Sequence, residues 1–319
     1  MGWRWEPGVS VRLLSYTADG DRLVAVSSKV SLSRKSVEEL LSMPEGEVEL
    51  WIMETFRRMH FSPWEHSVYT FLVDGLSRVA SHQLVRHRVA SYTQLSHRYS
   101  EGYLRRMALE ACKLTGLECP SRPVEAEGGR RGGYEAYARA LGEALGLGDG
   151  ELVRLAWLGY VLPPAPEHRL LDYAYEYLRA TQRYYMLLAG GARREDARYL
   201  LPNALRTRIV VTMNARELIQ VFLPLRTCTR AQWEIRYIAW SLWSQLVKVH
   251  PRLFRWAGPS CVFRENTLRQ KPAPLEDYLE GRENFTQPRC PELVERKAIP
   301  ACLKAARNIG AGEGGGSPE

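Results

Sequence analysis

Two long amphipathic helical segments dominate the chain, with only four short strand-like runs set among them. Leu170, Leu171, Ala174, Leu178, Thr181, Tyr184, Tyr185 and Leu188 keep helical spacing until Gly190-Gly191 stops them. Trp233, Ile235, Ile238, Trp240, Leu242, Trp243 and Leu246 do the same over 231–249, where His250-Pro251 ends the pattern. The tryptophan spacing reads as core packing. Strand-like runs cover 9–15, 23–26 behind the turn Asp19-Gly20, 67–73 up to Asp74-Gly75, and 209–212. Shorter helices are expected from an N-cap at Ser36, over 47–59, 76–88, 194–201 and 215–222. The whole predicts an α+β fold in which a small, mainly antiparallel sheet is packed by helices. Residues 103–190, with Pro120, Pro123 and the run Gly128-Gly129-Arg130-Arg131-Gly132-Gly133, read as a helical insertion containing a flexible link. Residues 1–309 are expected to form one unit, followed by a flexible Gly-rich tail at 310–319. That tail holds a literal G-x-G-x-x-G from Gly310 to Gly315, but no strand precedes it and no helix follows, so it is no dinucleotide fingerprint.

The charges are unevenly placed. The chain carries 44 Lys and Arg against 36 Asp and Glu, and only seven of the cations are lysine. Between Gly75 and Ser100 there is no acid, yet Arg78, Arg86, Arg88, Arg98, His82, His87 and His97 all fall there. Local i,i+4 pairing cannot neutralise such a stretch. The interleaved Val79, Ala80, Leu84, Val85, Val89 and Tyr92 argue for partial burial, and a buried arginine needs an anionic partner. Ser91, Thr93 and Ser96 add hydroxyl donors, completing a lining suited to phosphate. A second acid-free window, 197–216, holds Arg198, Arg206, Arg208 and Arg216 with Asn203 and Asn214. Two such windows suggest either two anionic ligands or one ligand clamped from both sides.

Arg86-His87-Arg88, seven residues and then Ser96 closely resemble the RHR-x7-S signature of flavin-dependent thymidylate synthases. The blocks at 60–66, 92–99, 214–216 and 231–235 resemble that family too, in the family's order. The resemblance implies conversion of dUMP to dTMP, with carbon from methylenetetrahydrofolate and reducing power from NADPH through FAD. It implies direct hydride delivery without a protein nucleophile, in a homotetramer whose sites are shared between subunits. By the same resemblance, Ser31, His60, Ser62, Arg86, His87, Arg88, Gln94, Asn214, Arg216 and Gln220 fall on flavin positions. Gln83, Arg86, Gln94, Ser96, Arg98, Arg198 and Arg226 fall on dUMP positions, and Arg226 matches the arginine that activates the uracil. Gln94 stands where some members have Glu, Thr93 where some have Asn, and Ser62 where Thr is commoner. Between Arg216 and Arg226 there is one residue more than the family spacing, with Pro224 inside it, which would shift the register of Arg226.

The remaining chemistry is sparse. Neither C-x-x-C spacing nor a Cys/His cluster points to a metal. Cys112 with Cys119, or the late group Cys261, Cys290 and Cys302, are candidates for pairing, and Cys228 is expected to be no nucleophile. His66, His82 and His97 read as structural or surface groups, and Glu234 as an ion-pair partner for a neighbouring arginine. With neither a secretory signal nor an apolar run long enough to span a bilayer, a cytoplasmic protein without a membrane partner is expected. The rival reading of the basic balance is a noncatalytic RNA- or DNA-binding protein. The flavin reading expects no nucleic-acid partner.

Overall fold

The computed structural model describes residues 7–30, 32–125 and 131–309. Residues 1–6, Ser31, residues 126–130 with the first half of the Gly128–Gly133 run, and the tail at 310–319 lie outside them. In chain order the strands are β1 (Ser10–Tyr16), β2 (Val68–Ser77), β3 (Ala90–Gln94), β4 (Val124–Glu125), β5 (Arg131–Gly132) and β6 (Arg206–Asn214). The longer helices are α1 (Gly20–Val30), α2 (Val37–Leu41), α3 (Glu45–Arg57), α4 (Arg78–Leu84), α5 (Gly102–Thr115), α6 (Tyr134–Ala144), α7 (Asp149–Gly159) and α8 (Glu167–Ala189). They continue as α9 (Arg194–Ala197), α10 (Ala215–Glu217), α11 (Leu223–Arg226), α12 (Trp233–Val249), α13 (Pro251–Phe254), α14 (Ser260–Leu268), α15 (Leu275–Glu280) and α16 (Ile299–Arg307).

The expected α+β architecture is present. The main sheet has the order β1-β2-β6-β3, and each of its neighbouring pairs is antiparallel. Alternation decides its inner face: Tyr69, Phe71 and Val73 of β2 are buried beside Ile209, Val211 and Met213 of β6. Ile235, Ile238, Leu242 and Leu246 of α12 belong to the same core. Gln245 on that helix accepts from Leu13 N–H at 2.8 Å and donates to Val11 C=O at 3.0 Å, satisfying edge groups of β1.

Several local expectations change. Residues 23–26 are not a strand but part of α1, with Val24, Ala25 and Val26 buried. An apolar run that short does not distinguish the two states, and the helix start is fixed from a distance, where Gly20 N–H donates to His250 Nε2 at 3.0 Å. Nor does β2 end at Asp74-Gly75. Gly75, at φ +82°, sits at an irregularity in the β2–β6 register, and the strand continues to Ser77. The loop at 60–66 contains a 3-10 turn, Ser62–His66, with Pro63 in its first turn. Ser36 caps α2 through a capping box with Glu39, as the sequence suggests.

The insertion builds a second core from α5, α6, α7 and α8, centred on Tyr137, Leu141, Leu152, Leu178 and Tyr185. Cys112 and Cys119 form a disulfide across the end of α5, where Gly116 adopts φ +71°. Arg206 ties this helical block to the sheet. Its guanidinium donates to Trp157 C=O (2.8 Å), Gly8 C=O (2.8 Å) and Gly75 C=O (2.7 Å) and lies over the Trp157 ring. Arg206 is therefore a buried structural cation and no ligand for an external anion, and burial lowers its pKa to about 10. Arg208 is likewise held internally, by Asp74 at 2.8 Å. Two arginines of the second acid-free window thus find partners distant in sequence.

Candidate active site

The signature segment leaves α4, turns through Arg86-His87-Arg88 and enters β3. That strand is held to β6 in the register Ala90↔Met213 to Gln94↔Ile209. Tyr92 pins the turn by donating its hydroxyl to the carbonyls of Leu84 and His87, both at 2.8 Å. His87 consequently points inward and is buried, whereas Arg86 and Arg88 point out and are exposed. No hydrogen bond or ion pair holds either of those guanidiniums among the described residues.

Around His87 the side chains form a relay. Glu217 Oε1 lies 3.1 Å from His87 Nδ1, and Arg226 Nε lies 3.0 Å from His87 Nε2. Arginine Nε only donates, so His87 Nε2 accepts and Nδ1 carries the proton given to Glu217. Arg226 also donates from Nη2 to Gln83 C=O at 3.4 Å, and partial burial lowers its pKa. Phe222 closes the relay edge-on, its ring 5.0 Å from that of His87. Asn214 caps α10 by accepting from Glu217 N–H at 2.8 Å, which fixes the carboxylate bearing Glu217. The sequence reading did not name Glu217, although an acid three residues after an N-cap asparagine is a legible signal.

Other expected site residues line two clefts. One, of about 610 Å³, is lined by Gln94, Ser96 and Arg198 together with Arg78, His82, His97 and Tyr199. Ser96 Oγ accepts from Arg98 N–H at 3.3 Å, and Arg98 pairs with Glu195 at 3.1 Å on the rim. His97 is structural in part only. Its buried Nε2 has no hydrogen-bond partner, and burial with Arg78 and Arg198 nearby lowers its pKa to about 4. The other cleft, of about 590 Å³, is lined by His60, Ser62 and His66 with Ser27, Trp51 and Arg58. Glu65 beside it pairs with Arg216 at 2.5 Å, and Arg216 donates to Gln220 at 2.9 Å. In one chain, therefore, the expected site residues form three groups rather than one pocket.

Two further expectations are corrected. Of the apolar residues in the first basic window, Ala80 and Leu84 are buried as expected, but Val79, Val85 and Val89 are exposed, as are Tyr99 (75%) and, in the second window, Tyr199 (85%). Glu234 does not find an arginine in hydrogen-bond contact. Its buried carboxylate accepts from Ser77 N–H and Oγ, both at 2.6 Å, and so anchors the start of α4. Among the described residues no His, Cys, Asp and Glu group can hold a metal ion, and no helix is long and apolar enough to cross a membrane.

A small antiparallel sheet that carries a carboxylate–histidine–arginine group beside exposed, unpaired arginines defines an α+β protein with cationic side chains open to a ligand. Residues 12–252 match the family model described as thymidylate synthase complementing protein. The flavin-dependent thymidylate synthase of Aeropyrum pernix is 68% identical over 306 residues, covering 95% of this chain and 94% of that protein. That of Sulfolobus acidocaldarius is 40% identical, covering 96% and 98%. The chain belongs to the flavin-dependent thymidylate synthase family. The fold agrees with the Helicobacter pylori flavin-dependent thymidylate synthase solved with FAD and dUMP (TM-score 0.55, 23% identity, 78% of this chain and 99% of that one). It also agrees with a UMP/dUMP methylase of Streptomyces cacaoi (TM-score 0.53, 24% identity, 77% and 93%).

Proposed function

We propose that this chain makes dTMP from dUMP, using methylenetetrahydrofolate as carbon donor, NADPH as reductant and FAD as bound cofactor. Family membership supports the reaction, and the observation that carries it to this chain is the Glu217–His87–Arg226 relay inside the signature. The residues fit a flavin nucleotide. Arg86 and Arg88 offer two unpaired guanidiniums for phosphate, and the cleft beside His60 and Ser62 is of a size that takes a ring system. When bound, FAD supplies the hydride.

The protein's own contribution is orientation and charge. Ser96, Arg98 and Arg198, with Gln94, receive the dUMP phosphate in the first cleft. Arg226, aimed by His87 and by Gln83 C=O, keeps Nη1 for the uracil and stabilises negative charge developing at its N3 and carbonyl. His60, Ser62, Asn214, Arg216 and Gln220, with Ser31, are assigned to the flavin side, where folate also stacks at His60. The three groups become one site in a homotetramer, because the exposed Val79, Val85, Val89, Tyr99 and Tyr199 offer an apolar face for a neighbouring subunit. We take 1–309 as a single catalytic unit, since Arg206 binds the insertion and the sheet through shared carbonyls. The location proposed is cytoplasmic, with neither membrane nor nucleic acid as partner.

The test is direct. Purified protein should bind FAD, run as a tetramer by light scattering and form dTMP only when dUMP, methylenetetrahydrofolate and NADPH are all present. Protein that is folded, flavin-loaded and inert towards dUMP refutes the proposal.

A further inference from the structure

Four free cysteines from distant parts of the chain meet at one point. Cys228 lies two residues after Arg226, Cys261 on α14, Cys290 in the segment before α16 and Cys302 on α16, and all four line a single cavity of about 20 Å³. A space of that size holds about one water and no organic ligand, so the side chains themselves are what the cavity brings together. They are not arranged as metal ligands, since no group of three among the described residues can hold an ion. Three of the four lie beyond residue 252, where the match to the family model ends.

The four sulfurs are not equivalent. Cys290 is buried, and its sulfur accepts from Val294 N–H at 3.4 Å in a turn where Leu293 takes φ +64°. Cys261 is half-buried, and desolvation drives its thiol pKa far up. Cys302 instead reaches the segment that carries Cys228, its sulfur 3.2 Å from Thr229 Oγ1. Arg236 is tied to the same segment, donating to Thr229 C=O at 3.0 Å and Ala231 C=O at 3.3 Å. Burial raises the Cys228 thiol, so exchange starts from its small thiolate fraction.

We propose that Cys228 and Cys302 form a second disulfide, tethering α16 to the loop that follows Arg226, while Cys261 and Cys290 stay as thiols. The oxidant is a small-molecule disulfide. The Cys302 or Cys228 thiolate attacks one of its sulfurs and expels a thiolate, and the other protein thiolate then displaces the second. Two protein thiols become one disulfide, the oxidant is reduced to two thiols, and two electrons pass between them. The closed loop is long, so the chain-entropy effect should raise the melting temperature by about 5–10 °C.

The full chain, incubated with oxidised glutathione, denatured and alkylated, should show free cysteines falling from four to two. Nonreducing peptide mass spectrometry should recover a Cys228–Cys302 crosslink. Cys302→Ser and Cys228→Ser should each abolish the melting shift, and the double variant should add nothing further. The wild-type mass map does not depend on either variant folding. Four alkylated cysteines after oxidation, a crosslink through Cys261 or Cys290, or stoichiometric zinc that protects the thiols would each overturn the proposal.

Discussion

Replacing Glu217 with alanine isolates what the carboxylate behind His87 does. In the native arrangement it accepts the Nδ1 proton at 3.1 Å and so leaves Nε2 free to accept from Arg226 at 3.0 Å. Glu217 and His87 are both buried, so Glu217→Ala leaves the Nδ1–H without its protein acceptor. An unsatisfied buried N–H costs about 1–3 kcal/mol. The ring can relieve this by moving its proton to Nε2, which then confronts the Arg226 Nε–H instead of accepting from it. Losing the aim of Arg226 by about 1.4–2.8 kcal/mol at the transition state lowers kcat about 10–100-fold. Glu217→Gln is the discriminating control. Its amide oxygen still accepts from Nδ1, so only the charge-assisted part of the bond is lost, roughly 1 kcal/mol, or about fivefold in rate. Initial rates of dTMP formation at saturating flavin and folate, normalised to the folded fraction by thermal melting, measure both. Glu217→Ala retaining kcat within about twofold of wild type, or Glu217→Gln falling as far as Glu217→Ala, would refute the relay.

Three further outcomes follow from the packing. Gly75→Ala places a Cβ 2.6 Å from Gly8 C=O at φ +82° and should cost roughly 2–4 kcal/mol, read as a lower urea midpoint with unchanged slope. His97, with a folded pKa of about 4 against 6.5 unfolded, binds its proton more readily in the unfolded chain. Stability is thus intact above pH 6.5 and falls as pH drops through 4, by about 2–3 kcal/mol after allowing for partial exposure. His97→Gln should flatten that part of the pH–stability curve, and an unchanged curve would count against the assignment. Cys119→Ala opens the short Cys112–Cys119 loop and should lower stability by about 2 kcal/mol in calorimetry, with the second core still folded.

What could be read from the sequence depended on whether each residue's partners lie nearby in the chain. The inner strands and both long helices were legible because alternation and helical spacing are local, and Phe71 or Leu178 is buried for the reason its neighbours suggest. β3 was not legible as a strand. Its exposed Ser91 and Thr93 resemble a loop, and only pairing to β6 makes 90–94 extended. The arginines divide on the same principle. Arg86 and Arg88 stand free, as an acid-free window suggests, but Arg206 is held by carbonyls of Gly8, Gly75 and Trp157 that no charge count records.

The one residue more that the family resemblance gives between Arg216 and Arg226 coincides with a backbone irregularity. In a regular α-helix one added residue turns everything beyond it by about 100°, which would carry Arg226 off the face that meets His87. The structure instead widens one stretch, Leu218–Phe222, into a π-turn, in which Leu223 N–H reaches back five residues to Leu218 C=O. A π-turn takes in one residue while leaving the helix beyond it in its original phase. Pro224 favours the widening there, because it has no N–H to give to the preceding turn. Arg226, four residues beyond that π-turn, meets His87 at 3.0 Å.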